Sequence, residues 1–338
     1  MVQYRPRRAI CFIFFLTAFG AKFAMAASMK VPEEYESTGG HSLAFGGTVA
    51  TGLGGVSAVR ANPAVLGMDR EYSVNASYHW PVAGRDFYQL GVVDGKTSSI
   101  AAGVLYTSAM DQYQGLVDTK ATSAGSEETS LSMDSPVVRR GSLAFAVPVG
   151  KAFLGASGSY VEARPPEDSL LSDDSKPVKS FTLGLGLAAQ VSSAMRVGIS
   201  AENLANKKIQ FAAPTFYRAG ASFFLGDIAT LNLDYRRRES VSVYEGATPG
   251  LSMASTAENS QSVPENLLVG SAVVKVYDLL RLIASVGQEV TGKESATRVA
   301  GGVSLINQQF NFSYQAMRPN TSVESVHHAV ALGLEIAM

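Results

Sequence analysis

The sequence has little charge. Only 17% of its 338 residues are Asp, Glu, Lys or Arg, against about 25% in an ordinary soluble domain. The 28 basic and 29 acidic side chains leave a formal net charge of -1, so there is no basic surface for general nucleic-acid binding. There is one cysteine, Cys11, which excludes a disulfide framework. Long apolar runs are missing too. Beyond the first 20 or so residues no uncharged apolar stretch reaches the ~18 residues that a membrane helix needs. Yet 46% of the residues are hydrophobic, which excludes disorder. The composition resembles that of a membrane protein, but the chain has no membrane helix.

The amino terminus reads as a leader. Arg5, Arg7 and Arg8 precede the uncharged run from Ala9 to Gly20, and Ala24-Met25-Ala26 has the small-x-small form of a cleavage site. Cleavage after Ala26 would remove Cys11 and leave about 312 residues with a formal charge of about -5. Residues 27–40 are polar. A Gly-rich, low-charge stretch follows from Gly39 to Gly67, and its glycines argue against a continuous helix.

From Glu71 onward the dominant period is two. Phe181, Leu183, Leu185 and Leu187 alternate with Thr182, Gly184, Gly186 and Ala188, and Phe310, Phe312 and Tyr314 alternate with Asn311, Ser313 and Gln315. Period two places alternate side chains on opposite faces of a strand. Here one face is bulky and apolar, the other small or polar. Strands are expected to start near Glu71, Asp86, Ser98, Val138, Ala152, Lys179, Ala194, Thr215, Ile228, Asn266, Leu279, Thr297, Gln308 and Val326. Most are long enough to cross a bilayer at a tilt, which takes about 9 to 11 residues. Short links, such as those at Asp94-Gly95, Gly150 and Gly226-Asp227, alternate with long polar ones such as Ser108 to Pro136, Glu162 to Pro177, Glu202 to Pro214 and Glu239 to Pro264. Short periplasmic turns alternating with long external loops are the layout of an outer-membrane barrel. The pattern predicts an all-β chain: a 14-stranded antiparallel transmembrane β-barrel over 70–338, preceded by a signal peptide over 1–26 and by an N-terminal tail and Gly-rich segment over 27–69, the segment that the resemblance below implies is a small plug.

His41 to Gly67, with its Gly54-Gly55 pair and its Asn62-Pro63-Ala64 element, resembles the N-terminal plug of the FadL-like outer-membrane transport superfamily. Gly198 to Leu225 is similar to the PorV-like branch, in which a strand ends in a polar-Asn-Leu element, here Glu202-Asn203-Leu204, and a proline, here Pro214, opens the next strand. The first resemblance implies a passive channel for hydrophobic or amphipathic, fatty-acid-like molecules, in which Gly54, Gly55, Asn62, Pro63 and Ala64 contribute to plugging and gating. The second implies a barrel that serves protein secretion or surface attachment. One departure is the terminal Met338, where outer-membrane proteins usually end in an aromatic residue.

Charges inside strands mark the remaining candidates: Arg139, Arg218, Asp234, Arg236, Arg238, Lys275, Arg281 and Arg298. A charge facing mid-bilayer lipid costs roughly 2 to 4 kcal/mol, so Arg218, Asp234, Arg236 and Arg238 are expected to line the lumen. There they would pair with the plug or meet a polar head group. The run Arg236-Arg237-Arg238 could instead reach anionic lipopolysaccharide. His79, beside Trp80, reads as an interfacial residue. His327 and His328 are adjacent in a strand and cannot share a metal, so no metal or cofactor is expected. Gly155-Ala156-Ser157-Gly158 lacks the spacing of a nucleophile elbow, and no enzyme is expected. The expected partners are outer-membrane lipid and lipopolysaccharide, the barrel-assembly machinery, and either a hydrophobic small molecule or secretion-system proteins.

Overall fold

A computed structural model describes residues 42–45, 50–51, 54–81, 86–109, 137–164, 177–206, 209–210, 212–239, 264–277, 279–291, 294–307, 310–318 and 326–336. The expected leader, the polar tail, His41, Met338 and most of the long links lie outside the described residues.

The period-two text forms β1 (Tyr72–Pro81), β2 (Phe87–Asp94), β3 (Ala101–Ala109), β4 (Val137–Val149), β5 (Ala152–Arg164), β6 (Val178–Ser192) and β7 (Met195–Leu204). The second half forms β8 (Phe216–Leu225), β9 (Ala229–Arg238), β10 (Glu265–Tyr277), β11 (Leu280–Thr291), β12 (Glu294–Ile306), β13 (Phe310–Arg318) and β14 (His327–Ile336). Each strand pairs with its chain neighbours, and β1 pairs antiparallel with β14 from Tyr72 opposite Ile336 to Pro81 opposite His327. The 14 strands therefore form one closed barrel. Closure matters because no water is available in a bilayer core to bond an open sheet edge. Among the described residues no helix is long and apolar enough to cross a membrane.

The pleat sorts the side chains. Phe181, Leu183, Leu185, Leu187, Ile199, Leu233 and Leu332 are exposed on the outside, while Thr182, Ser200, Asn232 and Ala331 on the alternate positions are buried. The outer face is a band of apolar residues suited to lipid. Tyr78, Tyr88, Tyr106, Tyr160, Tyr217, Tyr235 and Tyr314 ring it toward the end that carries the long links, and Phe223, Tyr277 and Phe310 sit toward the other. Amphipathic rings gather at both membrane–water boundaries for this reason. Leu185→Arg is accordingly expected to destabilise the barrel by roughly 2 to 4 kcal/mol. Urea unfolding in liposomes would read that loss, and Ser200→Ala, on the lumen face, should cost less.

The short turns use glycine where the chain needs a left-handed residue: Gly150 has φ +64° and Gly226 φ +61°. The link after β2 differs from a two-residue hairpin. Asp94 Oδ1 accepts from Lys96 N at 3.0 Å and Thr97 N at 2.9 Å, and β3 begins only at Ala101. The link is bent to dock: Gly95 N donates to Glu71 O at 2.8 Å, and a Cβ on Gly95 would stand 2.8 Å from Leu66 O.

Candidate functional site in the lumen

The described residues of the segment 42–69 pair with no strand. They form short turns inside the barrel: Ser42–Phe45, Gly55–Ser57, the single helical turn α1 (Ala58–Ala61) and Pro63–Gly67. Their apolar side chains are buried against inward positions of the wall. Val56, Val59, Val65 and Leu66 pack with Val93, Leu105, Ala144 and Ala188, and Leu43 packs with Ala300, Met317 and Ala329. Glycines in the wall make room for the backbone. A Cβ at Gly155 would collide with Pro63 and stand 2.7 Å from Ala64 Cα, and one at Gly186 would collide with Asn62.

Asn62 organises the segment. Its backbone is extended and its Oδ1 accepts from Ala64 N at 3.1 Å, capping the turn that Pro63 opens. Its Nδ2 donates to Ala50 O at 2.8 Å and to Leu187 O at 3.3 Å. One side chain thus caps a turn, ties two parts of the segment together and fastens both to β6. Asn62→Ala removes all three bonds, for an expected loss of about 1 to 3 kcal/mol. Limited proteolysis of the folded barrel should then cut within residues 42–69 faster than in the parent. Gly54 and Gly55 lie toward the short-turn end of the barrel, where a Cβ on Gly54 would collide with Asp69 and one on Gly55 (φ +62°) would stand 2.9 Å from Glu71 Oε1.

Beyond the segment, toward the long-link end, buried ions bridge it to the wall. Glu202 in β7 accepts from Arg60 Nε at 2.9 Å, Arg140 Nη1 at 3.1 Å and Arg218 Nη2 at 2.6 Å. Thus one carboxylate joins the segment to β4 and β8. Asn203 lies beside it, accepting from Arg140 at 3.1 Å and donating to Pro214 O at 2.8 Å. A second group centres on Glu265 of β10, within 2.8 Å of Arg236, 3.3 Å of Arg238 and 3.0 Å of Arg298. The Phe216 ring lies between the two groups, with Arg218 at 5.2 Å and Arg236 at 5.4 Å from its centre. Asp234 accepts from Ala50 N at 2.8 Å, a further tie between segment and wall.

Arg218, Asp234, Arg236 and Arg238 are all buried on the lumen face, as is Arg298. The run at 236–238 divides across the wall: Arg237 alone points outward, half exposed and 3.4 Å from Glu239. Arg139 also faces outward, whereas Lys275 and Arg281 sit opposite each other at the short-turn end. His79 corrects the interfacial reading. It is buried toward the lumen, stacked on Phe87 at 4.3 Å, while Trp80 beside it takes the outer face and stacks on His328 at 5.8 Å. Arg60, Arg140, Glu265 and Phe216 went unnoticed in the sequence. Parity offered a signal for Arg140, which shares a face with Ser142 and Ala144.

On the outer wall, over the Asn62 contact, lies a depression of about 410 Å³ lined by Leu185, Leu187, Ile199, Ala201 and Tyr217. The β6–β7 register shifts beside it, between Leu183 and Leu185.

No protein-family model matches the chain, and no curated protein does. Solved structures do. The CymD monoaromatic hydrocarbon channel aligns with a TM-score of 0.60 at 14% identity, over 89% of this chain and 97% of that one. The fold is that of the FadL-like barrels. The Ralstonia pickettii toluene transporter TbuX gives a TM-score of 0.56 at 15% identity, covering 89% of this chain and 98% of its own. A Pseudomonas aeruginosa FadL homologue gives 0.52 at 9%, covering 92% and 98%.

Proposed function

We propose that this FadL-like barrel sits in a bacterial outer membrane and is a passive channel for small hydrophobic or amphipathic molecules, closed at rest by residues 42–69 acting as a plug. The observation that carries this reading is the way the segment is held. Its described residues lie against the inner wall, held by side-chain contacts and hydrogen bonds and by no strand pairing, so the segment can leave while the wall remains paired. Asn62, Pro63 and Ala64 are its catch on β5 and β6, and ligand released from the lumen would leave into lipid beside the outer depression at β6–β8. The likeness to hydrocarbon and toluene channels supports the same substrate class. Fatty-acid-like molecules fit it as well, with the lumen arginines facing the head group. Outside the barrel, Arg237 and the aromatic ring would meet lipopolysaccharide, and insertion would use the barrel-assembly machinery.

The alternative, a PorV-like role with secretion-system partners, leans on Glu202-Asn203-Leu204. In the structure Glu202 and Asn203 are occupied inside the lumen, which leaves the element little to offer a protein outside. The test is uptake of labelled toluene and laurate by a deletion strain and its complemented parent, beside a survey of secreted proteins. Uptake lost with secretion intact is expected. Unchanged uptake with secretion lost would sink the channel and favour the alternative.

A further inference from the structure

The outer depression follows from the register of three strands. Across β6, β7 and β8, Leu185 stands opposite Ala201 and Ala201 opposite Tyr217. Leu185 and Tyr217 are exposed ridges, and the single methyl of Ala201 between them leaves a trough. The row below repeats the plan, with Ala219 between Ile199 and Tyr235. Beside the trough, between Leu183 and Leu185, two residues of β6 face three of β7, a bulge that adds local twist to the wall. The depression of about 410 Å³ falls within the roughly 300 to 1,000 Å³ of small-ligand sites. The outward side chains that line it are apolar apart from the Tyr217 hydroxyl.

Charge caps the trough at its outer end. Arg237 of β9 stands directly opposite Tyr217 and points outward, half exposed, 3.4 Å from Glu239. Both belong to the long-link end of β9. An exposed ion pair of this kind adds little stability, so the guanidinium can turn to a phosphate, which its planar fork grips with two parallel bonds. A donor fork and a carboxylate acceptor therefore lie side by side at the level of the tyrosine ring, where lipid head groups begin. From that level the apolar trough runs toward the middle of the membrane. A lipid of the opposite leaflet would carry its head at the short-turn end, away from Arg237.

We propose that the trough seats one acyl chain of lipopolysaccharide, with a phosphate of the lipid A head group on Arg237 and a sugar hydroxyl donating to Glu239. The inference rests on the outer-membrane reading with the long links outside. It makes lipopolysaccharide a ligand of one defined place on β6 to β9, distinct from the lipid that bathes the rest of the wall.

The test is a lipid titration of the purified barrel, read by native mass spectrometry as the fraction of barrels that carry lipid. The probe is lipid A with both of its phosphates. One lipid A per barrel is expected at saturation. Arg237→Gln should raise the half-saturating concentration about fivefold, the worth of one cation at an anionic head group. Ala201→Leu, which fills the trough and keeps the lipid face apolar, should raise it about tenfold, as when two methylenes of the chain stay unburied. Arg318→Gln, an exposed cation at the same end of β13, should leave it unchanged. Removing the phosphates from lipid A should weaken binding to the parent about fivefold and make no further difference to Arg237→Gln. This last comparison stands even if Ala201→Leu folds poorly. Equal titrations of the parent, Arg237→Gln and Ala201→Leu overturn the site, and so does phosphatidylethanolamine binding as tightly as lipid A. The titration needs no transport. Lipid A bound by a barrel that takes up no toluene keeps the site and removes the channel. Toluene uptake by a barrel that binds no lipid A keeps the channel and removes the site.

Discussion

Gly155→Val drives residues 62–64 off the wall and leaves the barrel open. The added side chain starts inside the space of Pro63 and Ala64 backbone, with Ala64 Cα only 2.7 Å from the new Cβ. Backbone cannot swing aside as the tip of a long side chain can, and overpacking of this kind costs about 1 to 3 kcal/mol or more. The wall need not give, because its ladders to β4 and β6 are untouched. The segment gives instead, because no strand pairing holds its described residues. Conductance in planar bilayers should rise by about tenfold, the factor that each 1.4 kcal/mol of plug release yields. Gly158→Val on the same strand is the control. Its Cβ would meet nothing within 4 Å, and conductance should stay at the parent level. Equal behaviour of the two variants would show that the segment does not close the lumen.

Glu202→Gln should be the most destabilising change in the wall. Arg60, Arg140 and Arg218 all lean on that carboxylate, and all are buried. Removing one partner of a buried ion pair costs about 3 to 5 kcal/mol because charges are left without compensation. The temperature at which the folded band disappears from a heat-modifiability gel should fall clearly. Adding Arg218→Met should recover part of the loss, since an apolar replacement of a whole buried pair is often neutral; the double-mutant cycle measures the coupling. A Glu202→Gln barrel as stable as the parent would mean that the ion group contributes nothing to holding the segment.

Much of this was legible beforehand, for a physical reason. In a membrane barrel the pleat alone decides which side chains meet lipid, so Phe181 to Ala189 announces its faces by alternation. Arg218, Asp234 and Arg236 follow from the cost of a charge in hydrocarbon. The contacts across the lumen were not legible. Arg60 meets Glu202 across 142 positions of sequence, and strand periodicity carries no information about which inward residues face one another. His79 shows a different failure. Its place beside Trp80 points to the interface, but neighbours in a strand face opposite sides, and His79 is the one that turns inward. At Asp94-Gly95 the local turn signal yielded to tertiary docking, because Gly95 is drawn onto Leu66 and Glu71.

On the channel reading, ligand crosses the lumen only when residues 42–69 move. A reversible cross-link tests it most directly. A Cβ at Gly103 would stand 2.7 Å from Val59 Cγ2, which brings the two Cβ positions near the roughly 3.5 to 4.5 Å that a disulfide requires. The pair Val59→Cys and Gly103→Cys, in a Cys11→Ser background, would therefore lock the segment to β3. Toluene uptake by proteoliposomes should cease on oxidation and return with reductant. Uptake that continues at the parent rate through the oxidised, fully cross-linked protein would contradict the account.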